Sequence, residues 1–398
     1  MGPITISASP TSEFRLPTSI RVAWLFEYPT LHGGERSLLA TLPYLRAAGV
    51  DVVALAPPAG PLAERLAAEG VALVAFETCD CEGRRRSQPQ LRERLAELLA
   101  AARADLLHAN SLAMGRLSGP VAAELNLPSL SHLRDILKLS RAAVADSNRH
   151  MRLLAVSQAT RDFHAGQALA AEKLHVLYNG VDLERFRPRA ANGWLHEQLG
   201  VSREALLIGS IGQLVLRKGH DVLARAAANL ARRLPHAHWI IVGSRHSQKD
   251  EALEHEAAVH EIFASAGLAD RVHFLGTLEY VEELLPELTL LVHPARQEPL
   301  GRVLLEAAAS GVACIATDVG GTREIFPPVA GAARLVPPGD SVQLAEAIAE
   351  LAADSQTRAQ LGFAARRQAE MRFDIRQAAA GLIEHYRENV DAASLPHF

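Results

Sequence analysis

The chain has 398 residues and a formal net charge of -4, with 48% hydrophobic and 22% charged residues. This length exceeds one ordinary hydrophobic core and predicts two α/β domains of roughly 180 to 200 residues each. The charge balance argues against a general nucleic-acid binder, which needs a basic face to neutralise phosphates. No apolar run reaches the roughly 18 residues of a spanning helix, and the chain does not begin with a signal-peptide pattern. We therefore expect a cytoplasmic protein.

The first half of the chain alternates short apolar runs with longer helical patterns. Residues 1–19 mix Ser, Thr and Pro without periodicity, which predicts a flexible tail. The alternation from Ile20 onward is typical of a parallel sheet covered by helices on both faces. We predict one helix over residues 34–47. The predicted strands are residues 20–26, 51–56, 71–76, 104–109, 128–133, 152–157 and 173–178.

A second series of strands and helices follows the Pro, Asn and Gly of residues 182–202, which are expected at a junction. It predicts another doubly wound sheet, so the fold class is α/β with two Rossmann-like domains. We place the domains at residues 20–187 and 188–375, and expect a last helix within 376–398 to cross back to the first domain. The predicted strands are residues 206–212, 238–243, 271–276, 288–294, 312–317 and 333–338. The predicted closing helices are residues 341–353, 356–372 and 376–391.

The sequence gives little sign of a metal site. The three cysteines, Cys79, Cys81 and Cys314, are too few for a disulfide framework. Cys79 and Cys81 lack the second paired cluster that a structural zinc site needs. No Asp-x-Asp motif stands at the end of a predicted strand. We expect neither a metal ion nor another cofactor.

Chemically unusual residues concentrate just after predicted strands. Ligands of open parallel sheets bind in the crevice outside the carboxyl ends of the strands, where loops and helix amino termini converge. The convergence of these residues is therefore more informative than any one of them. They are Gly33, Gly34, His108, Asn110, His132, Gln213, Lys218, Gly243, Thr277 and Glu298.

Two of these loops suit an anionic ligand. Residues 28–35 (YPTLHGGE) place two glycines where a helix opens, and free amides there favour an anion; a plain glycine turn is the alternative. Residues 212–221 (GQLVLRKGHD) place Lys218 beside backbone donors at the head of a helix, which suits a pyrophosphate leaving group. A solvated basic turn is the alternative there. Neither loop has the glycine spacing of a dinucleotide fingerprint or a P-loop.

The most specific feature is the segment 297–311 (QEPLGRVLLEAAASG), which follows a predicted strand. Glu298 stands in a loop held by Pro299 and Gly301, while Glu306 falls inside the helix that Gly301 opens. Both carboxylates can then face one crevice and accept hydrogen bonds from the vicinal hydroxyls of a sugar and a ribose. In the alternative interpretation, Glu306 caps a neighbour and Glu298 only stabilises its own helix amino terminus.

With these residues in view, the chain resembles family 4 (group 1) of the retaining glycosyltransferases with the GT-B fold, whose hallmark is the pair Glu298-x7-Glu306. The resemblance covers roughly residues 20–390, and its motifs are jointly specific. The matching segments are HGGE at 32–35, LLHANS at 106–111, AVSQATRD at 155–162, YNGVDLERFRP at 178–188, RKG at 217–219, EPLGRVLLEAAASGVACIAT at 298–317 and VGGTREI at 319–325.

The resemblance implies roles for individual residues. Glu306 would hold the donor's ribose hydroxyls, Glu298 the transferred sugar, and Lys218 would neutralise the diphosphate. The amides of Leu300 and Gly301 would approach the sugar and phosphates. Residues 20–187 would then be the acceptor side and residues 188–375 the donor-binding domain. The donor-site residues are Gly33, Gly34, Gln213, Arg217, Lys218, Gly243, Thr277, Glu298, Leu300, Gly301 and Glu306, and the catalytic residues are His132, Lys218 and Glu298.

Two positions on this list invite a second interpretation. His132 matches the family histidine that contacts the donor sugar near the reaction centre; a strand-end histidine bonded to backbone is the alternative. Gln213 stands where relatives commonly carry an arginine that pairs with the lysine. A glutamine offers a dipole without a charge, so the leaving group would be less stabilised. Arg217, adjacent to Lys218, could compensate, although neighbours in sequence usually point in different directions.

The family implies net retention, with the departing phosphate taking the acceptor's proton and no metal ion involved. The acceptor would be a sugar, a lipid-linked molecule or a small molecule. A group of basic residues could face an anionic acceptor or the inner membrane surface, although solvated surface charge is the default interpretation. The group consists of arginines 84–86, Arg134, Lys138, Arg141, Arg149 and Arg152.

Other functions are less favoured. Among enzymes, the alternatives are a sugar-nucleotide epimerase and a phosphorylase. The alternative that is not primarily an enzyme is a catalytically weak protein of the same fold that binds a nucleotide sugar or a glycan.

Overall fold

The computed structural model describes residues 19–80, 82–245 and 247–394. The predicted tail therefore lies outside the described residues except for Ser19, and so does Cys81. Two parallel β-sheets organise the rest, and each has a hydrophobic core on both of its faces. The two Rossmann-like domains predicted from the sequence are confirmed.

The first sheet has seven parallel strands in the order β3-β2-β1-β4-β5-β6-β7. Alternate residues of the inner strand that begins at Ile20 enter opposite cores, Val22 and Trp24 on one face and Ala23 and Leu25 on the other. The strands are β1 (Ile20–Leu25), β2 (Val50–Ala56), β3 (Ala72–Ala75), β4 (Leu106–Ala109), β5 (Ser129–Leu133), β6 (Arg152–Ala155) and β7 (Leu174–Val176). The helices are α1 (Gly33–Leu39), α2 (Leu42–Ala47), α3 (Pro61–Ala68), α4 (Gln88–Ala102), α5 (Leu112–Glu124), α6 (Arg141–Ser147) and α7 (Gln158–Ala165).

The helix predicted over residues 34–47 is wrong as a single element. The structure divides it into α1 and α2, with Thr41 between them donating its hydroxyl to the carbonyl of Leu38 at 2.7 Å. Pro43 lies in the first turn of α2 and has no N–H, so one continuous helix would leave a carbonyl unpaired and crowd the proline ring. The proline therefore explains the division.

The second sheet has six parallel strands in the order β10-β9-β8-β11-β12-β13. They are β8 (Leu206–Ile211), β9 (Ala237–Val242), β10 (Val272–Phe274), β11 (Leu290–His293), β12 (Cys314–Thr317) and β13 (Arg334–Val336). The helices are α8 (Trp194–Leu199), α9 (His220–Leu230), α10 (Asp250–Ser265), α11 (Val281–Leu284), α12 (Arg302–Ala309), α13 (Thr322–Ile325), α14 (Ser341–Ala353), α15 (Ser355–Arg372) and α16 (Ile375–Ser394).

The chain crosses between the domains twice, and the two crossings lie side by side. Val181 donates to the carbonyl of Phe373 at 2.7 Å and accepts from the amide of Ile375 at 3.0 Å. Beyond this point α16 returns to the first domain, where Leu382 and Tyr386 are buried in the core with Trp24. The carboxy-terminal helix is thus part of the first domain's core.

The domains also touch through a carboxylate placed at a helix amino terminus. Glu324 of α13 accepts hydrogen bonds from the amides of Gln158 and Ala159 at the start of α7, at 2.8 and 2.9 Å. The hydroxyl of Tyr178 donates to the same carboxylate at 2.8 Å. A negative charge is stabilised at this end of a helix, so the contact fixes how the two sheets face each other.

The helices of this fold are too short or too polar to span a membrane, as far as the structure describes them.

Candidate active site

The carboxyl ends of the central strands of both sheets open on the cleft between the domains. Side-chain contacts of two glutamines span this cleft. The amide nitrogen of Gln213, after β8, lies 3.2 and 3.3 Å from the two ring nitrogens of His32, just before α1. The amide of Gln297, after β11, donates to the carbonyl of Ile136 at 2.6 Å. The loops predicted to hold a ligand therefore meet at one place.

A buried charged cluster stands at the end of β11. The Glu298 carboxylate accepts from the Lys218 ammonium at 2.5 Å and from Nε2 of His293 at 2.7 Å. The side chains of Lys218 and Glu298 are only 13% and 7% exposed, so this ion pair is largely removed from water. Glu298 thus does more than stabilise its own helix. Sequence reasoning missed His293, although it is the last residue of β11 and so had the same strand-end signal as its neighbours.

The contacts within this cluster favour the ionised form of the Glu298 carboxyl group. Burial opposes ionisation of Glu298, but the Lys218 charge and the hydrogen bond from His293 outweigh it and hold the pKa well below its usual range. Burial lowers the pKa of His293, against the hydrogen bond to Glu298. Glu298 is therefore an anion at neutral pH, able to accept hydrogen bonds from hydroxyl groups.

The Lys218 loop is held tightly against β11. Lys218 ends a short 3₁₀ turn, and Gly219 follows in the left-handed conformation with φ of 69°. The amide of Arg296 donates to the carbonyl of Arg217 at 2.8 Å, and the Arg296 guanidinium makes two hydrogen bonds to Asp221, at 2.7 and 2.8 Å. These contacts fix the ammonium beside Glu298. For the Arg217 side chain itself, no hydrogen bond or ion pair is found within the described residues.

We expect Gly219→Ala to misplace Lys218, while Gly200→Ala does not. Both glycines have left-handed φ angles, 69° and 68°, so alanine strains each by about 1 to 2 kcal/mol. A Cβ at Gly219 would stand 2.0 Å from the Pro294 carbonyl oxygen, whereas nothing lies within 4 Å at Gly200. Urea unfolding should show a further loss of about 1 to 3 kcal/mol for Gly219→Ala alone. Equal losses for the two variants would contradict the close approach.

Glu306 lies on α12, next to the Glu298 loop. Its carboxylate accepts from Nε of Arg302 at 2.6 Å, and the residue is only 7% exposed. Leu300 is buried, and Gly301 has a φ of 103° that favours glycine. A Cβ at Gly301 would lie 3.3 Å from Cγ of Glu298, so a side chain at this position would crowd the Glu298 side chain.

The first domain contributes the glycine loop and a cluster around Arg134. Nε of Arg134 donates to Oδ1 of Asn110 at 3.0 Å, and its NH1 donates to Oδ1 of Asn179 at 2.9 Å. A Cβ at Gly34 would come within 2.9 Å of the Arg134 side chain, while Gly33 has open space. The Asn110 amide nitrogen is buried and has no partner within the described residues. It is therefore a donor available to a ligand beside Gly34.

His132 is buried at the end of β5, and side chains rather than backbone hold it. Its Nδ1 lies 2.8 Å from Nε2 of His108 and 3.2 Å from NH2 of Arg134. Arg134 was grouped in the sequence with surface arginines, whereas the structure places it inside the cleft. Arg85 and Arg152 of that group pair with Glu27 and Glu388.

Two predicted donor-site residues stand apart from the Glu298 cluster. Gly243 and Thr277 follow β9 and β10, on the far side of β8 from β11. The amide of Gly243 donates to the carbonyl of Gly276 at 2.7 Å, and its missing side chain makes room for the backbone of Gly212. The exposed hydroxyl of Thr277 lies 3.3 Å from that of Ser244. This part of the cleft borders Gln213 rather than the ion pair.

Within residues 19–80, 82–245 and 247–394, no three His, Cys, Asp or Glu side chains cluster in a way that could hold a metal ion. Cys79 and Cys314 both carry free thiols.

Comparison with known proteins agrees with this architecture. The model of the glycosyl transferases group 1 family matches residues 195–368, and the model of glycosyltransferase family 4 matches residues 31–185. The chain belongs to the family 4, group 1 glycosyltransferases. Together the two models cover every strand except β1 and every predicted catalytic residue. With two Rossmann-like domains facing each other across a cleft, this glycosyltransferase has the GT-B fold.

Curated relatives are about 30% identical to this glycosyltransferase over the residues that align. A D-inositol 3-phosphate glycosyltransferase of Saccharomonospora viridis is 29% identical over 312 residues, which cover 72% of this chain and 71% of the relative. The lipopolysaccharide core biosynthesis mannosyltransferase LpcC of Rhizobium leguminosarum bv. viciae is 32% identical over 215 residues, 52% of this chain and 57% of that protein.

Solved structures share the whole architecture. HepE of Anabaena, determined in complex with UDP-glucose, superposes with a TM-score of 0.81 at 25% identity, covering 93% of this chain and 100% of HepE. WaaG, a glycosyltransferase involved in lipopolysaccharide biosynthesis, gives a TM-score of 0.70 at 19% identity over 94% of this chain and 100% of WaaG. The second likeness concerns the fold alone.

Proposed function

We propose that this glycosyltransferase moves a hexose from a nucleoside-diphosphate sugar to a hydroxyl group of its acceptor, with net retention at the anomeric carbon. The observation that carries the proposal is the buried Lys218, Glu298 and His293 cluster at the edge of the cleft. It combines a fixed cation, which suits a departing diphosphate, with a fixed anion, which suits the hydroxyl groups of a sugar.

The donor is held mainly by the second domain. Glu306 accepts from the ribose hydroxyls, Glu298 accepts from the hydroxyls of the transferred sugar, and the amides of Leu300 and Gly301 approach the phosphates. Lys218 has three N–H donors and uses one on Glu298, so two remain for the diphosphate. Because both carboxylates are buried, the bonds that they make to a ligand are poorly screened by water.

The chemistry needs no separate base. The bond from the anomeric carbon to the diphosphate oxygen breaks, and the electron pair leaves with the diphosphate, where Lys218 stabilises the added charge. The acceptor oxygen then bonds to the same face of the oxocarbenium-like carbon, and its proton passes to a phosphate oxygen of the leaving group. We propose metal independence because Lys218 already supplies a positive charge at the diphosphate.

The donor class rests on a comparison with a solved neighbour. HepE was determined with UDP, with UDP and glucose, and with UDP-glucose, and it shares 25% of aligned residues with this chain over both domains. We therefore propose UDP-glucose as the first donor to test. The acceptor is a sugar, a lipid-linked molecule or a small molecule on the first domain's side of the cleft, and we propose a cytoplasmic enzyme that can meet such acceptors at the inner membrane face.

We expect Gln213→Arg to raise kcat by about five- to tenfold. Gln213 faces His32 across the cleft as a neutral amide, so the diphosphate has one fixed cation fewer than an arginine would provide. A charged donor stabilises a phosphate by about 1 kcal/mol more than a neutral one. Gln213→Met is the matched control, because it removes the amide without adding charge. An arginine variant slower than the wild type would show that the chain depends on the Gln213 to His32 contact.

The proposed function is tested by following one labelled sugar. The purified chain is incubated with glucose-labelled UDP-glucose and a panel of sugar and lipid-linked acceptors, and carbon NMR reports the configuration at the anomeric carbon. We expect UDP release with an α-linked product, at a rate that EDTA does not change. An inverted product would contradict retention. Binding of UDP-glucose without release over many hours would favour a nucleotide-sugar-binding protein instead.

A further inference from the structure

A chain of buried hydrogen bonds joins the carboxy-terminal helix to His132. Nε1 of Trp24, on β1, donates to the hydroxyl oxygen of Tyr386, on α16, at 3.0 Å. That hydroxyl lies 2.6 Å from Nδ1 of His108, on β4. All three side chains are fully buried. The chain continues to the cleft, because Nε2 of His108 lies 2.8 Å from Nδ1 of His132.

The direction of these bonds follows from the two groups that can only donate. The indole of Trp24 has no lone pair to offer, so Tyr386 accepts from it and directs its own proton to His108 Nδ1. His108 must then carry its proton on Nε2, where it points at His132. The guanidinium of Arg134 can also only donate, and its NH2 lies 3.2 Å from His132 Nδ1.

The opposite direction is disfavoured at both ends. If His108 carried its proton on Nδ1, Tyr386 would accept two hydrogen bonds and its own buried O–H would lose its acceptor. His132 would then need a proton on Nδ1 to bond His108, and that N–H would face the N–H of Arg134. Burying an unpaired donor costs about 1 to 3 kcal/mol, so the first direction is the stable one.

We propose that Tyr386, His108 and Arg134 are positioning residues that fix the proton of His132 on Nε2, so that His132 donates a hydrogen bond into the cleft. His132 Nε2 has no hydrogen-bond partner among the residues that the structure describes. His132 also lines a small cavity whose walls belong to the first domain and α16, with Arg134, Tyr178 and Asn179 among them. The acceptor of this hydrogen bond would be an oxygen of the donor sugar or of the diphosphate. This part of the inference rests on the proposed function.

Both histidines stay neutral in this arrangement. Burial, followed by the charge of Arg134, lowers the pKa of His108 and of His132 well below the usual value. A neutral His132 with its proton on Nε2 has no free lone pair on the cleft side, so it cannot serve as a general base there. The proposal thus assigns His132 the role of a hydrogen-bond donor.

The test reads the proton positions directly. Long-range proton to nitrogen correlation NMR on histidine-labelled protein distinguishes the two neutral forms, and His108 and His132 are assigned by the signals lost in His108→Gln and His132→Gln. We expect both residues with the proton on Nε2 from pH 6 to 8. In Tyr386→Phe, His108 should move toward a mixture of the two forms, and kcat should fall about tenfold with little change in KM.

Trp24→Phe is the matched control, because it disturbs the same buried site but leaves the Tyr386 hydroxyl, whose buried O–H still needs His108 as its acceptor. It should lower thermal stability and keep the proton positions of the wild type. His108→Gln and His108→Leu form a second pair: the glutamine amide can still donate to His132 Nδ1 and should retain more of kcat than leucine. This pair decides the matter if Tyr386→Phe does not fold.

The proposal is overturned if His132 carries its proton on Nδ1 in the wild type, or if Tyr386→Phe leaves the form of His108 unchanged. The NMR spectra are recorded without a sugar donor and do not depend on catalytic turnover. A correct proton pattern in a chain without transferase activity would therefore contradict the proposed function and leave this inference standing.

Discussion

Lys218→Met is expected to lower kcat by on the order of 10² to 10³, the effect typical of removing one group that stabilises developing charge in a transition state. Lys218 is the cation fixed against Glu298, and methionine keeps much of its apolar stem without the charge. Because the charge on the diphosphate grows as the sugar bond breaks, the loss should fall on kcat more than on KM. Initial rates with UDP-glucose measure it.

The matched control for this variant is Arg217→Met, one residue earlier on the same 3₁₀ turn. The Arg217 side chain makes no ion pair within the described residues, so its loss should cost much less than the loss of Lys218. If Arg217→Met reduced kcat as strongly as Lys218→Met, the charge at the diphosphate would be shared between the two residues. The assignment of Lys218 as the principal cation would then be wrong.

The second large effect concerns stability. Lys218→Met should lower the free energy of unfolding by about 3 to 5 kcal/mol, because it leaves the Glu298 carboxylate buried without its cation. The double variant Lys218→Met with Glu298→Gln should recover much of this loss, since no buried charge remains unpaired. Urea unfolding of the two single variants and the double variant gives the coupling between the two residues.

The same pair predicts a pH dependence. The pKa of Glu298 is lowered in the folded chain, so its ion pair contributes fully above the unfolded pKa of about 4.3 and is lost as pH falls from there through the lowered folded-state pKa. In Lys218→Met, burial without the lysine disfavours the ionised form of Glu298. The stability difference between wild type and variant should therefore shrink from pH 7 to pH 4. A difference that stays constant over this range would mean that Lys218 does not control the ionisation of Glu298.

The sequence predicted the fold well because its signals are local. Buried parallel strands such as Leu206–Ile211 consist mostly of apolar residues, and helices such as Ser341–Ala353 have a clear amphipathic period and a capping Asp340. Many of the predicted strands extend past the observed ends, because their last residues already belong to loops. The main error, the joined helix of residues 34–47, came from following the apolar pattern across Pro43.

The site was predicted only as far as its residues follow strands. Lys218 and Glu298 could be chosen because each stands in a loop after an apolar run, but nothing in the sequence states that they form an ion pair. The bond between His108 and Tyr386 joins residues 278 positions apart, and it exists only because α16 returns to the first domain. The position of Arg134 in the cleft could not be predicted for a related reason. In the sequence, a charged residue after a strand gives the same pattern whether its side chain faces water or a cleft.

Calorimetric titration of the wild type and Glu306→Ala with UDP, GDP and ADP tests the donor site most directly. Glu346→Ala serves as the control, since Glu346 is an exposed carboxylate paired with Arg233 on the protein surface. We expect the wild type and Glu346→Ala to bind one nucleotide with equal affinity and Glu306→Ala to bind it about 10- to 100-fold more weakly, the loss typical of hydrogen bonds to a charged group. Equal binding by all three proteins, or no binding by a folded wild type, would contradict the donor site at Glu298 and Glu306.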